Sequence, residues 1–414
     1  MSRTGKIFFL SSVAIAITAI FPFTVKAQPT ESKHVIVAPP CLIKNINTDY
    51  KILSSTKQLV LIETDAAGVQ QLMATKHQHK SLCGGFMDVT QDWHMSNTKI
   101  RSSGKEAKSF LLNYETPHAS IAQNQKAYSI QYSQQVNQLL TQINPQNMWN
   151  NLTQLTNTFQ NRNANTDYGL QAANWIKAQV ETMASETGHD DVTIYTVATG
   201  KYKQPSVVAK VGNGTGPGIV IGGHMDTIVF GSNTQPGADD DGSGTVTVLE
   251  TARTVLFSGL HFKKPIYFIW YAAEEQGMIG SYNVVADFKS KNIPVEAVIQ
   301  FDLTGFAYQN EPTMWLMDDY VNANLTSFLE QLITTYVKQP VKHSRCGYAC
   351  SDHARWYNKG YATALPAEAA YENSNPSIHS TSDTMEKLSL NHMTDYAKLA
   401  VAFAVEMAEP VEKK

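Results

Sequence analysis

The chain has 414 residues, 43% of them hydrophobic and 17% charged, a composition that argues against disorder and suits a large domain with an accessory segment. Its formal net charge is −3, and no run of lysine or arginine forms a basic stripe, so nothing in the charge pattern indicates a nucleic-acid partner. Beyond the N-terminus, no stretch is apolar and long enough to cross a bilayer.

The N-terminus has the pattern of a secretory signal peptide. Arg3 and Lys6 precede an apolar run at residues 7–20, and Val25 and Ala27 supply small residues before a cut. We therefore predict a signal peptide over residues 1–27, cleaved after Ala27, and a secreted, extracellular protein. The alternative is an uncleaved membrane anchor, which is less favoured because the apolar run is short for a span.

Residues 28–115 are mixed and polar, with short β-like pieces such as residues 57–63 and no convincing ligand cluster. In an exported protein this arrangement favours a removable propeptide over residues 28–115, followed by a catalytic domain over residues 116–414. A permanent accessory domain is the alternative. The polar stretch 101–108 reads as a protease-sensitive linker, so we expect the cut between Gly104 and Ile121.

Four cysteines occur in two separate pairs, Cys41 with Cys83 early and Cys346 with Cys350 late. Four cysteines allow three pairings, and in an exported protein we expect the segregated one, with a bond inside each pair. A thiol nucleophile or a structural zinc site at the late pair is less favoured. A catalytic cysteine needs a histidine apposed in space, and that residue is usually distant in sequence.

From about Ile121 the chain alternates helical and strand-like patterns. Apolar positions at helical spacing predict helices at 128–140, 149–159, 166–183, from Gly244 to Gly259, 321–337 and 391–408. Apolar runs predict strands at 192–197, 206–211, 219–223, 265–271, 295–301 and 360–365.

Three of these strands end in residues that commonly bind metals. The strand at 219–223 runs into His224 and Asp226, the strand at 265–271 into Glu274 and Glu275, and the strand at 295–301 into Asp302. In open α/β sheets the ligand site lies outside the carboxyl ends of the strands. The pattern therefore favours a metalloenzyme.

Five side chains can act as metal ligands at the ends of different elements: His224, Asp240, Glu275, Asp302 and His379. Two imidazoles with three carboxylates suit two divalent cations, zinc being favoured, and one carboxylate must bridge them. Asp240, at the entry to a helix, is the candidate bridge. Its neighbours Asp241 and Gly242 indicate unusual backbone geometry there. Asp226 is placed to orient His224, and Glu274 to act as a general base.

The sequence resembles the secreted two-zinc aminopeptidases of metallopeptidase family twenty-eight, most closely their bacterial leucyl members, over about residues 120–408. The matching motifs are Gly-Gly-His224-Met-Asp226, Gly-Ala-Asp-Asp240-Asp-Gly-Ser-Gly, Ala-Ala-Glu274-Glu275-Gln-Gly, Asp302-Leu-Thr, Cys346-Gly-Tyr348-Ala-Cys350-Ser-Asp-His-Ala and Ile378-His379-Ser-Thr-Ser-Asp383-Thr. The resemblance implies an α/β fold with a central mixed, largely parallel sheet flanked by helices. It also agrees with a removable N-terminal propeptide.

The resemblance also implies a role for each site residue. His224 and Asp302 would hold one zinc, Glu275 and His379 the other, and Asp240 would bridge. Asp226 would support His224, Glu274 would be the acid/base acting on a dizinc-bridged hydroxide, and Tyr348 would stabilise the tetrahedral intermediate. The expected partners are peptides or proteins with a free N-terminus, cleaved by a monomer that binds neither nucleic acid nor, after signal removal, a membrane.

The side-chain pocket implied by the resemblance is Leu303, Leu365, Ala367, Tyr371, Ser374 and Ile378. Ala367 and Ser374 would widen it, so we expect a preference for large hydrophobic or aromatic first residues. Glu368 lies nearby in sequence and leaves open a preference for lysine or arginine. A carboxypeptidase or glutaminyl cyclase on the same fold is an alternative, as is a catalytically dead binding ectodomain, which lost ligands would reveal.

Overall fold

A computed structural model describes residues 33–44, 46–76, 85–96, 104–115, 126–228 and 231–411. The predicted signal peptide lies outside these residues, and so does Cys83. Within the described part of the chain, no helix is long and apolar enough to cross a membrane.

The N-terminal segment, residues 33–115, is built on a four-stranded sheet in which every pair of neighbours is antiparallel. Its strands, in the order β2-β3-β1-β4, are β1 (His34–Ala38), β2 (Tyr50–Ser55), β3 (Val60–Thr64) and β4 (Met87–Asp88). Its described helices are α1 (Pro40–Ile43), α2 (Ala66–Lys76), α3 (Thr90–Ser96) and α4 (Gly104–Glu115).

Residues 104–108, expected to form an exposed linker with residues 101–103, belong to helix α4. From Gly104 onward the chain is helical, and Ala107, Leu111 and Tyr114 are buried. These three positions lie on one face at helical spacing and pack into an apolar cluster with strand β1 and β3 residues. The polar residues of the stretch therefore form the outer face of an amphipathic helix.

The N-terminal segment shares its apolar cores with the rest of the chain. One core of the segment includes Ile228, and the other includes Met278, Ala349 and Ala354. The guanidinium of Arg355 adds polar contacts, because it donates to the carbonyls of Asp88 and Gly277, both at 2.7 Å. The segment thus packs against the loops after strands β7 and β9 of the larger sheet and against residues 349–355.

The larger sheet has six strands in the order β13-β10-β7-β9-β6-β5. The remaining strands, in chain order, are β5 (Val192–Val197), β6 (Ser206–Val211), β7 (Gly218–His224), β8 (His261–Phe262), β9 (Ile266–Tyr271), β10 (Val295–Gln300), β11 (Met314–Met317), β12 (Val341–Ser344), β13 (Ala362–Ala364), β14 (Pro366–Ala367) and β15 (Pro410–Val411). Strands β13, β10, β7 and β9 run parallel, whereas β6 and β5 are antiparallel to their neighbours. The predicted mixed, largely parallel sheet is confirmed.

Helices cover this sheet. They are α5 (Ser133–Leu140), α6 (Pro145–Thr158), α7 (Asp167–Thr187), α8 (Gly244–Phe257), α9 (Ile279–Ser290), α10 (Ala323–Leu332), α11 (His353–Tyr357) and α12 (Leu390–Ala408). The sequence explains their ends: the Thr166 hydroxyl accepts from the Gly169 amide to start α7, and Gly188 ends it with a φ of +67°. Helix α12 is alanine-rich and buried on nearly every side, which lets it pack closely in the main core.

Some predicted boundaries shift for identifiable reasons. The helix predicted at 128–140 begins only at Ser133, because the amides of Gln131 and Tyr132 donate to the Glu406 carboxylate at 2.8 and 3.1 Å. These bonds hold the preceding residues against α12 outside the helix. The strand predicted at 360–365 is shorter, and the helix predicted at 321–337 ends in a π-helical turn, Ile333–Val337.

Candidate active site

Strand β7 carries His224 to the centre of the sheet edge. The strand lies between β10 and β9, and two glycines before the histidine allow the neighbours to approach. A Cβ on Gly223 would lie 2.9 Å from the Phe301 carbonyl oxygen, and one on Gly222 would lie 2.5 Å from the Tyr271 ring. Larger residues at these positions would push the strands apart and displace His224.

Asp240 lies in a turn of unusual backbone, as the sequence predicts. The turn Ala238–Ser243 precedes helix α8, and the Asp240–Asp241 peptide bond is cis. The two oxygens of Asp383 accept from the amides of Asp239 and Asp240, both at 3.0 Å. The Asp241 carboxylate accepts from the His224 amide at 3.0 Å and the Gly244 amide at 2.9 Å. Hydrogen bonds to the carboxylates of Asp383 and Asp241 therefore fix the backbone around Asp240.

The five predicted ligands come together in two groups that share Asp240. The groups are His224 with Asp240 and Asp302, and Asp240 with Glu275 and His379, and in each the candidate ligand atoms lie within 4.8 Å of one another. Asp240 Oδ1 is 3.0 Å from His224 Nε2, whereas Oδ2 is 2.6 Å from His379 Nε2. A carboxylate that presents one oxygen to each group has the geometry needed to bridge two cations. The donor set of imidazole nitrogens and carboxylate oxygens fits zinc.

Asp226 organises the turn after strand β9 as well as His224. Its two oxygens accept from the amides of Glu274 at 3.0 Å and Glu275 at 3.2 Å. Its Oδ1 also lies 3.4 Å from Nδ1 of His224, on the side of the ring away from Asp240. One buried carboxylate thus fixes the imidazole and the two neighbouring glutamates together.

Backbone conformations near the ligands are uncommon for side-chain-bearing residues. Ala273, which precedes Glu274, has a φ of +52°; Leu303, which follows Asp302, has +61°; and His379 has +57°. Each left-handed residue costs about 1–2 kcal/mol. Such conformations persist where the surrounding structure imposes them, and they concentrate at functional sites.

The site holds a strong negative potential around its two imidazoles. Burial lowers the pKa of His379, but Glu275 and Asp240 outweigh it and raise this pKa to about 10. Burial likewise lowers the pKa of His224, and Asp302 and Asp226 outweigh it and raise it well above its usual value. A cation that binds there displaces the protons of the two imidazoles and balances the charge of the surrounding carboxylates in their place. The electrostatics therefore suit metal binding.

Tyr348 lies in a short disulfide ring beside the ligands. Cys346 and Cys350 are bonded, as predicted for the late pair. Cys41 is also disulfide-bonded, but its predicted partner Cys83 lies outside the described residues. Burial above all, and the nearby carboxylates of Glu274 and Asp302, raise the pKa of Tyr348 well above its usual value. Tyr348 therefore stays protonated at neutral pH and can donate a hydrogen bond.

Part of the predicted side-chain pocket forms one apolar cluster. Leu365, Ala367 and Tyr371 pack with the disulfide ring, and the same cluster contains Met317, Trp315 and Val321, which the sequence analysis did not select. Leu303 and Ile378 are half-buried and are not members of this cluster, although both flank ligands in sequence. Ser374 is half-buried, and its hydroxyl donates to the Tyr371 carbonyl at 3.1 Å.

Glu368 is buried and already engaged. Its oxygens accept from the amides of Phe306 at 2.6 Å and Asn375 at 3.2 Å. Burial and the neighbouring Asp239 raise the pKa of this carboxyl well above its usual value. The glutamate therefore supports two loops near the pocket and does not offer a free negative charge to a substrate.

The sequence analysis missed Arg162, a fully buried guanidinium behind the ligands. It donates to the carbonyls of Met225 at 2.9 Å, Pro236 at 2.6 Å and Gly237 at 2.7 Å. Burial lowers its pKa, and the carboxylates of Asp383 and Asp241 oppose that effect. No sequence pattern marks this arginine, because its partners are backbone carbonyls more than 60 residues away.

An α/β sheet with two imidazole–carboxylate groups at its strand ends, joined by a shared carboxylate, defines a metal-dependent hydrolase. A family model described as peptidase family M28 matches residues 206–404. Leucine aminopeptidase 1 of Aspergillus fumigatus is 36% identical over 295 residues, which cover 67% of this chain and 75% of that protein. A probable leucine aminopeptidase of Trichophyton verrucosum is 31% identical, over 82% of this chain and 89% of that one.

Among solved structures, the Legionella pneumophila LapA aminopeptidase superposes with a TM-score of 0.83 and 41% identity, over 92% of this chain and 100% of that chain. A region that covers 92% of this chain must include residues of the N-terminal segment, so this part of the fold also has a counterpart in the LapA structure. The chain belongs to peptidase family M28 and is a peptide hydrolase.

Proposed function

We propose that the protein is a zinc-dependent aminopeptidase that removes large hydrophobic or aromatic residues from the free amino termini of peptides. The observation that carries the proposal is Asp240, whose two oxygens point to different histidines within two ligand groups. Relatives named leucine aminopeptidase support the reaction and the leucyl-type preference.

In this proposal His224 and Asp302 would hold one zinc ion and Glu275 and His379 the other, as the family resemblance implies, and Asp240 would serve both groups. Zinc supplies Lewis acidity, polarising the scissile carbonyl and lowering the pKa of a bound water to about 7. The chain contributes the surrounding groups. Asp226 holds the imidazole of His224 and the amides of both glutamates in place.

Glu274 and Tyr348 complete the proposed machinery. Glu274 is adjacent to the proposed ligand Glu275, and its amide donates to Asp226, which supports a role for its carboxylate in taking the proton of the attacking water and returning it to the leaving amine. Tyr348, kept protonated by burial, donates to the oxyanion of the tetrahedral intermediate.

The apolar cluster of Leu365, Ala367 and Tyr371 favours a large apolar first residue. We expect this preference to be graded, because one methylene changes binding by only about 1–3 kcal/mol. The preference for lysine or arginine that Glu368 left open is not favoured, since that carboxyl is buried and accepts two backbone amides.

The test is a screen of amino-acyl anilides with the mature protein. Leucyl and phenylalanyl anilides should be cleaved fastest, lysyl, glycyl and aspartyl ones slowly, and N-acetyl-leucyl anilide not at all. A chelator should abolish activity, zinc should restore it, and metal analysis should find about two zincs per chain. Equal cleavage of the acetylated substrate, or full activity in a metal-free preparation, would overturn the proposal.

We further propose that residues 1–27 direct export and that residues 28–115 are a propeptide of a secreted, monomeric zymogen. Because Gly104–Glu115 is helical and partly buried, the expected cut lies after Glu115 and before about Ile121. N-terminal sequencing of the active secreted form tests this, and size-exclusion chromatography tests the monomer. An active form that retains Cys41 would make the segment a permanent accessory domain.

A further inference from the structure

Two tyrosine hydroxyls meet between the side-chain pocket and the ligand groups. The Tyr371 hydroxyl donates to the Tyr348 oxygen at 3.2 Å, and the two rings pack edge to face with centroids 5.8 Å apart. Tyr371 is itself well held. Its amide donates to the Ser344 hydroxyl at 3.1 Å, and its carbonyl accepts from the Ser374 hydroxyl at 3.1 Å.

The direction of this bond matters for the free proton of Tyr348. A phenol has one proton to donate and lone pairs to accept with. Since the Tyr348 oxygen accepts from Tyr371, its own proton is left for a different partner. Accepting a hydrogen bond also polarises a hydroxyl and makes it a better donor.

Tyr348 also lies near the candidate ligands. The carboxylates of Glu274 and Asp302 lie close enough to contribute to its electrostatic environment. The disulfide between Cys346 and Cys350 closes a short ring around the tyrosine and limits its backbone movement. The hydroxyl proton of Tyr348 can still rotate about the C–O bond, and the hydrogen bond from Tyr371 restricts that rotation.

We propose that Tyr371 is a positioning residue for catalysis: by donating to the Tyr348 oxygen, it directs the Tyr348 proton towards the ligand groups where the tetrahedral intermediate forms. This inference rests on the proposed role of Tyr348 in peptide hydrolysis. Tyr371 also packs in the apolar pocket cluster. In this proposal Tyr371 therefore both contacts the substrate side chain and orients the hydroxyl of Tyr348, the oxyanion donor.

The test compares Tyr371→Phe, Tyr348→Phe and the double variant with leucyl anilide. Tyr371→Phe keeps the ring and removes the hydroxyl that donates to Tyr348, and losing that neutral hydrogen bond should lower kcat about three- to tenfold while KM stays the same. The double variant should match Tyr348→Phe alone, because Tyr371 acts only through Tyr348. Tyr361→Phe removes a hydroxyl from a tyrosine packed against Trp356, outside the site, and should leave both constants unchanged.

Three results would overturn the inference: an unchanged kcat in Tyr371→Phe, a change in KM alone, or multiplicative losses in the double variant. The first two would make Tyr371 only a pocket wall. If the wild-type protein cleaves no free-amino anilide, the proposed function fails, and the bond is then tested without activity. In protein with ¹³C-labelled tyrosine ring carbons, Tyr371→Phe should shift the Cζ resonance of Tyr348, identified by its loss in Tyr348→Phe. An unmoved resonance would refute the bond itself.

Discussion

Replacing Asp383 with asparagine should weaken zinc binding although Asp383 is not one of the five ligands. Its two carboxylate oxygens accept from the amides of Asp239 and Asp240, which mount the shared carboxylate. The amide side chain of Asp383→Asn keeps one acceptor oxygen and presents an NH₂ group to the second amide. That amide loses its partner at a buried position.

The size of the effect follows from the lost bond. A hydrogen bond to a charged group contributes about 1.5–3 kcal/mol, and about 2 kcal/mol corresponds to about 30-fold in an equilibrium constant. Without that bond, Asp240 is less well ordered in the metal-free protein. Zinc binding must then supply the free energy of ordering it, so the affinity for zinc falls. An effect of about 10- to 100-fold is the usual range for groups that support metal ligands.

The assay is a titration of zinc-free protein against a competing chelator. Burial and Asp239 raise the pKa of Asp383 to about 7, so the titration is best run at about pH 8, where the wild-type carboxylate is ionised. Asp395→Asn is the matched control, because Asp395 is buried and bonded to Gln339 and Lys398 away from the ligand groups. Wild-type zinc affinity in Asp383→Asn, or equal losses in both variants, would refute this reasoning.

Three further predictions follow from buried groups. Glu274→Ala should keep zinc and lose about 10²–10⁴-fold in kcat with KM little changed, whereas Glu275→Ala should lose metal. Kinetic constants and zinc content measured for both variants test this, and zinc loss in Glu274→Ala but not in Glu275→Ala would contradict it. Arg162→Met removes the donor to the carbonyls of Met225 and Pro236 and leaves Gly237 with only the Gly242 amide, so it should cost more than about 3 kcal/mol in denaturant unfolding; a loss below about 1 kcal/mol would contradict this. His353 is fully buried, and burial lowers its pKa to about 4. The unfolded histidine therefore binds a proton between about pH 6.5 and 4 while the folded one does not, so stability falls by roughly 3 kcal/mol as pH drops through this window. Unfolding curves at several pH values should show a shallower dependence for His353→Gln than for the wild type, and equal slopes would exclude this role.

The candidate ligands could be predicted because each follows a local signal. His224 is the last residue of strand β7 and Asp302 lies two residues after strand β10, and the parallel pairing of these strands brings their ends together. Asp240 and His379 lie in loops, where only the motif marks them. The structure places both beside the strand-end residues, within the two ligand groups.

The supporting groups could not be predicted in the same way. Arg162 and Asp383 bind backbone carbonyls and amides, which every residue carries, so their partners leave no signal in side-chain sequence. The stretch expected to be a linker is helical from Gly104, because buried positions such as Leu111 pack against elements distant in sequence. The start of α5 depends in the same way on Glu406, more than 270 residues further along the chain.

The dispersal of the site along the chain has a consequence during biosynthesis. The candidate ligands lie between His224 and His379, and helix α12, which fills the main core, follows them at Leu390–Ala408. Chains are synthesised from the N-terminus, and a domain generally folds as a unit. A nascent chain that stops before residue 379 therefore lacks a ligand, and one that stops before α12 lacks the helix on which the sheet packs. Truncated translation products of this peptidase should consequently be inactive.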